Sequence, residues 1–385
     1  MRFIKKIAKK KIDILIIDTE GSEKIINFCL PDGLSFEVLD IRNHIPFIVS
    51  PRFLYNIVKE ILIYKYRPVI SIFKGIIKET QPLAVLTFID NNRFMGILQT
   101  LMPEILFISI QNGVRHTNEF PVALEKFFYS YPYYFGFGNY ELKLLNKKKA
   151  KYKKFFSCGS LNMGIFLSQY YLSNKKSSKL TGISYISQYK ESFAKSNDKL
   201  HTQFMHLQKL ICSHMDRYAK ENNESVSVIL RSDTGSKTYN EEASFFKSCF
   251  KYSNVRICKN DRSKMTSYEE GMNSKVILSY DSTLMFELLG VGKKILSFAE
   301  ADSEFANDWG TKNSTSFMPS EIFIDNLEYQ TFEDKLRNLI KMSEDVYEDK
   351  IRNSKLHYMN LTDKFPHIQV KDLLESTSMG ILVNN

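Results

Sequence analysis

The stretch Lys275 to Phe298, KVILSYDSTLMFELLGVGKKILSF, constrains this chain more than any other. It reads as strand, polar turn, helix, glycine break and strand. Val276 to Leu278 is a short apolar run of strand type. Ser279 to Thr283 is a polar turn whose last residues suit a helix N-cap. Leu284, Leu288 and Leu289 share a helical face, and Met285 and Phe286 add apolar bulk. Gly290 and Gly292 end the helix before Ile295 to Phe298 resumes a strand. Such a βαβ unit implies a parallel sheet with a right-handed crossover.

The chemistry of a βαβ unit sits at the carboxyl end of its first strand. Backbone N–H groups at the helix start attract an anion there. Ser282 and Thr283 add hydroxyl donors, and Glu287 lies one turn further on, where it can accept from a ribose hydroxyl. The bland alternative is a hydroxyl-rich N-cap on an ordinary helix, with Glu287 on a solvated face.

The same grammar runs along the whole chain. Strands are expected at Lys11–Asp18, Phe36–Leu39, Pro82–Ile89, Ile105–Ile110, Tyr133–Phe137 and Phe155–Cys158. In the second half they are expected at Gly182–Ser187, Val226–Leu230, Val255–Cys258, Val276–Leu278 and Ile295–Phe298, with Phe317–Ile324 returning to the sheet. Helices are expected at Arg93–Leu101, Asp198–Asn222, Glu241–Phe250 and Met265–Asn273. Arg52 to Glu79 is a long amphipathic, basic segment broken near Arg67-Pro68. Its second half either rests on a membrane surface or, the favoured reading, packs on the sheet. Lys147 to Lys154 reads as a solvated basic run.

At 385 residues the chain exceeds one simple core. The expected organisation is α/β, with two Rossmann-like domains facing across a cleft. Residues 1–172 form the first, 173–182 a linker, 183–330 the second, and 331–385 a charged helical tail. Five scattered cysteines without a CxxC pair suit reduced cytosolic thiols and exclude a disulfide framework or a cysteine zinc site. No apolar run reaches the ~18–20 residues that span a bilayer. The net charge of +10 favours acidic partners. The basic residues are dispersed, and no RNP, KH or helix-turn-helix signature appears, so nucleic acid is not an expected partner.

Strand-end loops gather the polar residues. The first half brings Asp18, Glu20, Asp90, Asn91, Gln111, Asn112, Arg115 and His116. The second brings Arg231, Asp233, Ser279, Asp281, Ser282, Thr283 and Glu287. In open parallel sheets ligands bind outside the carboxyl ends of the strands. Asn112-Gly113 is equally a good turn. The first set suits a polyhydroxylated acceptor and a general base, and the second suits an anion and a ribose. That division matches sugar transfer from a nucleotide-sugar donor.

Thr87-Phe88-Ile89-Asp90-Asn91-Asn92 with Ile108-Ser109-Ile110-Gln111-Asn112-Gly113-Val114-Arg115 resembles bacterial surface-carbohydrate biosynthesis proteins of the GT-B architecture. Phe137-Gly138 before a helix and Cys158-Gly159-Ser160 add to the likeness. Ser279 to Thr283, Glu287 and Gly292-Lys293-Lys294 are similar to the donor-binding segment of capsule and O-antigen (lipopolysaccharide) transferases. Those include families that use CMP-activated sugars. The likeness covers roughly Leu83 to Phe298. The His-Gly pair of polyol-phosphate transferases stands here as Asn112-Gly113. The His-Pro pair of bacterial sialyltransferases is missing, since neither Pro46 nor Pro366 follows a histidine.

The resemblance implies a glycosyltransferase with a surface polysaccharide or lipid-linked glycan as acceptor. Ser279, Asp281, Ser282, Thr283, Glu287 and Lys293 are its expected donor-binding residues, and Asn91, Gln111, Asn112, Gly113 and Arg115 its acceptor-binding residues. Either Asp90 or His116 is the base. Arg231, with Lys293 in support, offsets leaving-group charge. No cofactor is expected beyond the nucleotide-sugar co-substrate. No DxD motif is present, as expected of GT-B enzymes, so no metal is expected either. The expected place is the cytoplasm, peripheral on an anionic inner membrane surface. The alternatives are a polyol-phosphate transferase or nucleotide-sugar epimerase on the same fold, and a non-catalytic scaffold of polysaccharide assembly.

Overall fold

A computed structural model describes residues 2–6, 11–40, 44–48, 51–64, 68–91, 93–115, 130–147, 149–172, 180–298 and 317–378. The chain divides into two compact units. The first comprises Met1–Gly113, Glu119–Ile165 and Thr362–Asn385, and the second Val114–Asn118 and Phe166–Leu361.

The first unit holds strands β1 (Arg2–Lys6), β2 (Ile14–Ile17), β3 (Phe36–Leu39), β4 (His44–Ile48), β5 (Ala84–Thr87), β6 (Leu106–Ile110), β7 (Ser130–Gly136) and β8 (Lys151–Ser157). Six of them make one parallel sheet in the order β3-β2-β5-β6-β7-β8, and β1 pairs separately with β4. All four residues of β2 and of β5 are buried. Continuous apolar runs of this kind mark parallel strands covered on both faces. The helices Pro51–Tyr64 and Pro68–Thr80 contribute Phe53, Ile57, Ile70, Phe73, Ile76 and Ile77 to the core over this sheet. The second helix opens on Pro68, a residue suited to the first helical position because its missing N–H would have no helical partner. Its expected packing on the sheet is observed.

The second unit holds β9 (Thr181–Ile186), β10 (Val226–Ile229), β11 (Arg256–Cys258), β12 (Ser274–Ser279), β13 (Ile295–Phe298) and β14 (Phe323–Ile324). They form one parallel sheet in the order β11-β10-β9-β12-β13-β14. Counted within the unit, that is 3-2-1-4-5-6, the strand order of dinucleotide-binding sheets. The six-stranded sheet of the first unit reads 2-1-3-4-5-6. In each sheet the order reverses beside the first strand, between β2 and β5 and between β9 and β12. The crevice outside those carboxyl ends is where doubly wound sheets bind ligands. The α/β class and the two Rossmann-like units expected from the sequence are the ones observed.

Some elements differ from expectation. β8 begins at Lys151, so half of the supposed solvated run is strand. Among the described residues it is an edge strand, and its exposed lysines 151, 153 and 154 are the kind of charge that blunts such an edge. The charged tail holds three helices among its described residues, Tyr329–Lys341, Glu344–Tyr358 and Pro366–Ser378. Ser343 separates the first two by capping Glu344–Tyr358, its hydroxyl accepting from the Val346 N–H at 3.4 Å. The helix Leu161–Leu172 has no polar stripe to reveal its period. The final helix, Pro366–Ser378, counts with the first unit, where His367 meets Phe28 edge-on at 6.3 Å. Most of the expected linker, residues 173–179, lies outside the described residues. Among the described residues no helix is long and apolar enough to cross a membrane.

Candidate functional site

In the second unit the helix Thr283–Gly290 springs from the end of β12, at the strand-order reversal. Ser282 is its N-cap but supplies no side-chain cap. Its carbonyl accepts from the N–H groups of Met285 at 3.0 Å and Phe286 at 3.3 Å. The Thr283 hydroxyl accepts from the N–H of Val114, which counts with this unit, at 3.3 Å. That bond uses a lone pair and leaves the hydroxyl proton to donate elsewhere.

Glu287 is 1% exposed, which rules out the solvated-face alternative. Its Oε2 accepts from the Tyr268 hydroxyl at 2.8 Å. Asp281 stands beside Ser282 in the same turn and is half-buried. Ser279 is placed lower. It is fully buried within β12, and its hydroxyl donates to the Ile186 carbonyl of β9 at 3.4 Å. It ties the two strands rather than facing the open edge.

Lys293 does not join this group. It precedes β13, which runs parallel to β12 with Ile277 beside Ile295. The start of β13 therefore lies at the opposite edge of the sheet from the end of β12, and the Lys293 carbonyl accepts there from the Tyr347 hydroxyl at 2.8 Å. Lys293 and its neighbour Lys294 sit at the foot of the sheet because the helix has returned the chain to that edge.

Arg231 follows β10, the neighbour of β9. Its side chain is exposed, and Nη1 lies 3.5 Å from the Tyr189 carbonyl. A residue that sequence reasoning passed over organises this loop. Glu242 is fully buried and accepts from the backbone N–H groups of Arg231 and Ser232, both at 2.8 Å, and from the Ser187 hydroxyl at the end of β9. One carboxylate thus fixes the ends of two adjacent strands.

The first unit repeats the device. Asp90, after β5, is 1% exposed. It accepts from the Tyr134 hydroxyl at 2.7 Å and from the Asn112 N–H at 3.4 Å. Gln111 is also buried. It donates from Nε2 to the Gly113 carbonyl and to Glu141 Oε1, both at 2.8 Å, and its Oε1 accepts from the Phe137 N–H at 2.8 Å. The amide is spent on holding the loop, so Gln111 does not present itself to an acceptor.

Glu141, also missed from sequence, accepts in turn from the Gly138 N–H at 3.2 Å. Burial pushes its carboxyl up to about 7, and the charge of Asp90 adds to the rise against the lowering hydrogen bonds. A glutamate three residues into a helix that reaches back to the residue before it is half of a capping box. That was the signal available in Gly138-Asn139-Tyr140-Glu141.

Asp18, at the end of β2, is 1% exposed with φ of 84°, and its Oδ1 accepts from the Glu20 N–H at 3.1 Å. Asn91 is exposed, Gly113 half-buried, and Arg115 buried and counted with the second unit. His116 lies outside the described residues.

The structural relatives confirm the fold. The UDP-GlcNAc 2-epimerase from Neisseria meningitidis bound to UDP-GlcNAc is 12% identical, with a TM-score of 0.52 over 96% of this chain and 99% of that one. The wall teichoic acid polymerase TagF is 11% identical, with a TM-score of 0.54 over 97% and 90%. The Methanocaldococcus jannaschii UDP-GlcNAc 2-epimerase in complex with UDP-GlcNAc and UDP is 9% identical, with a TM-score of 0.52 over 96% and 100%. No curated protein sequence matches the chain. A sequence profile described as "putative O-antigen biosynthesis protein" matches residues 108–369, well over half of the chain. The chain belongs to that family, a surface-carbohydrate biosynthesis family built on the GT-B pair of Rossmann-like units.

Proposed function

We propose that the protein is a glycosyltransferase that moves a sugar from a nucleotide-sugar donor to a surface polysaccharide or lipid-linked glycan. The observation that carries this reading is Glu287. It is a buried carboxylate one turn into the helix that starts at the reversal of a 3-2-1-4-5-6 sheet. In that position the N–H groups of the helix start, with the Ser282 and Thr283 hydroxyls, hold the donor phosphate, and Glu287 accepts from the ribose. Asp281 lines the same turn. Arg231 offsets charge on the departing nucleotide.

Asn91, Asn112, Gly113 and Arg115 are assigned to the acceptor. Asp90 takes the acceptor proton, its carboxylate oriented by Tyr134 and the Asn112 N–H, and His116 is the alternative base. The acceptor oxygen bonds to the anomeric carbon as the bond from that carbon to the phosphate oxygen breaks, and the nucleotide leaves with the electron pair. Replacing Asp90 by alanine costs on the order of 10²-fold in rate if it is the base. No metal or further cofactor is required by this scheme.

The UDP-GlcNAc 2-epimerases on the same fold support a second reading, epimerisation of the nucleotide sugar. A thermal-shift panel of CMP, UDP, GDP, CDP and ADP tests the donor site, with Glu287→Gln in parallel. Ligand at 100 times its Kd adds about 2.7 kcal/mol to apparent stability. One nucleotide raising Tm in the wild type and not in the variant is the expected result. No shift with any nucleotide removes the catalytic reading in favour of a scaffold. With the matching nucleotide sugar and no acceptor, an epimerase still converts its substrate, whereas a transferase waits for the glycan.

A further inference from the structure

The cysteines are scattered along the sequence, but the fold of the second unit brings two of them together. Cys212 lies on the helix Lys199–Asn222, and Cys249 ends the helix Tyr239–Cys249. Their thiols are hydrogen-bonded to each other. The Cys249 thiol also donates to the Phe245 carbonyl of its own helix at 3.3 Å. Its sulfur is therefore the acceptor for the Cys212 S–H. The buried Tyr185 of β9 is close enough to both sulfurs to feel their charge. Lys209, on the same helix as Cys212, holds its ammonium 5.4 Å over the Phe245 ring.

The two thiols are unlike. Cys249 is half-buried, whereas Cys212 is fully buried. The bond from Cys212 pulls Cys249 below the usual thiol range against the opposing effect of burial, and the Lys209 ammonium adds to the fall. Burial holds Cys212 well above that range, and its bond to Cys249 adds to the rise. Burial likewise raises Cys29, Cys158 and Cys258. Cys249 is thus the one cysteine of the five that combines thiolate character with access to solvent. A thiol of that kind beside a second thiol is the arrangement of an oxidant-sensitive cysteine with its resolving partner.

We propose that Cys249 and Cys212 form a modification site, a reversible disulfide made in response to a peroxide. The Cys249 thiolate attacks one oxygen of hydrogen peroxide. The O–O bond breaks, hydroxide leaves and takes up a proton, and Cys249 becomes a sulfenic acid. The Cys212 sulfur then attacks the Cys249 sulfur. The S–S bond forms as the S–O bond breaks, and water departs with the Cys212 proton. The sulfurs lose two electrons between them and the peroxide gains both. In a reducing compartment such a bond is transient. It ties together two helices that each support a strand-end loop. One turn before Cys212, Gln208 Oε1 accepts from the Gln188 N–H beyond β9 at 3.1 Å. Two turns before Cys249, Glu242 holds the Arg231 and Ser232 N–H groups beyond β10. The inference stands on the paired thiols, independently of the donor site.

The test is treatment of the reduced full chain with a small excess of hydrogen peroxide, then alkylation of the remaining thiols and peptide mapping by mass spectrometry. The expected result is a linked pair of peptides holding Cys212 and Cys249, with free thiols falling by two from the five of the chain and recovering fully with dithiothreitol. Cys249→Ser forms no disulfide. Cys212→Ala, without a resolving thiol, stops at a sulfenic acid on Cys249 that dimedone captures. The wild-type map needs no variant, so a substitution that fails to fold leaves the test intact. Oxidised Cys249 in chains whose Cys212 is still alkylated overturns the proposal. So does a first disulfide between other cysteines or between two chains. So does a folded protein whose thiols all stay reduced under peroxide that oxidises the urea-unfolded chain. The nucleotide panel is read separately, so either proposal can fail while the other stands.

Discussion

Replacing Glu141 by glutamine tests the network around Asp90 through pH. Glu141 is 1% exposed, and burial, helped by the charge of Asp90, pushes its carboxyl from 4.5 up to about 7. A folded-state pKa above the unfolded one means that the native state holds the proton more tightly. The resulting stability is fully present below about 4.5 and is lost as pH rises through about 7. Each pH unit in that window is about 1.4 kcal/mol, so the whole window removes about 3 kcal/mol. Glutamine carries no such proton and has no such slope. It has a fixed penalty instead. Both carboxylate oxygens accept from N–H donors, Gln111 Nε2 and the Gly138 N–H. A glutamine amide must set its own NH₂ against one of them, which costs about 1–3 kcal/mol at every pH. The variant is therefore less stable than wild type near pH 5 and matches or overtakes it near pH 8. Urea unfolding of both proteins across that range, plotted as a difference, is the assay. His214 and His367, whose pKa values are lowered by burial, contribute equally to both proteins and cancel. A difference that stays flat with pH would refute the reasoning.

Glu242→Ala should cost about 3 kcal/mol in urea unfolding, because it orphans two backbone N–H groups and the Ser187 hydroxyl; a loss within the error of the measurement would deny it the loop-holding role. Gly21→Ala should be more destabilising than Gly33→Ala. Both have positive φ, 73° and 85°, but a Cβ on Gly21 would stand 2.0 Å from Phe88 Cδ1, whereas nothing lies within 4 Å of one on Gly33. Backbone strain alone is about 1–2 kcal/mol, so a larger loss at Gly21, read from the same melts, reports the clash.

The strands were legible because a parallel sheet buried on both faces writes itself as uninterrupted aliphatic runs. Ile14–Ile17 and Val276–Leu278 need no context to be found. What hid from the sequence had lost its pattern. Leu161–Leu172 is apolar nearly all round, so its period is invisible, and Lys151–Lys154 is strand only because a sheet edge tolerates lysine. The candidate loops were legible as polar clusters at strand ends, but what each residue does there was not. Lys293 looked like a phosphate ligand because it is close to Ser282 in sequence, while the crossover carries it to the other edge of the sheet. Gln111 looked acceptor-facing because it is polar, while its amide is consumed by Gly113, Glu141 and Phe137.

The comparison of Glu242 with Glu287 shows why burial alone does not sort structural from ligand-binding carboxylates. Both are at most 1% exposed, and both stand on helices that leave the carboxyl edge of the same sheet. Glu242 accepts from the backbone N–H groups of Arg231 and Ser232, so a ligand that claimed Glu242 would release the loop that those bonds hold. Glu287 accepts from the phenol of Tyr268. A side-chain hydroxyl can rotate to another acceptor. An exchangeable side-chain partner, rather than the depth of the carboxylate, is the ground on which sugar binding is proposed for Glu287, while the backbone donors on Glu242 give it a loop-holding role.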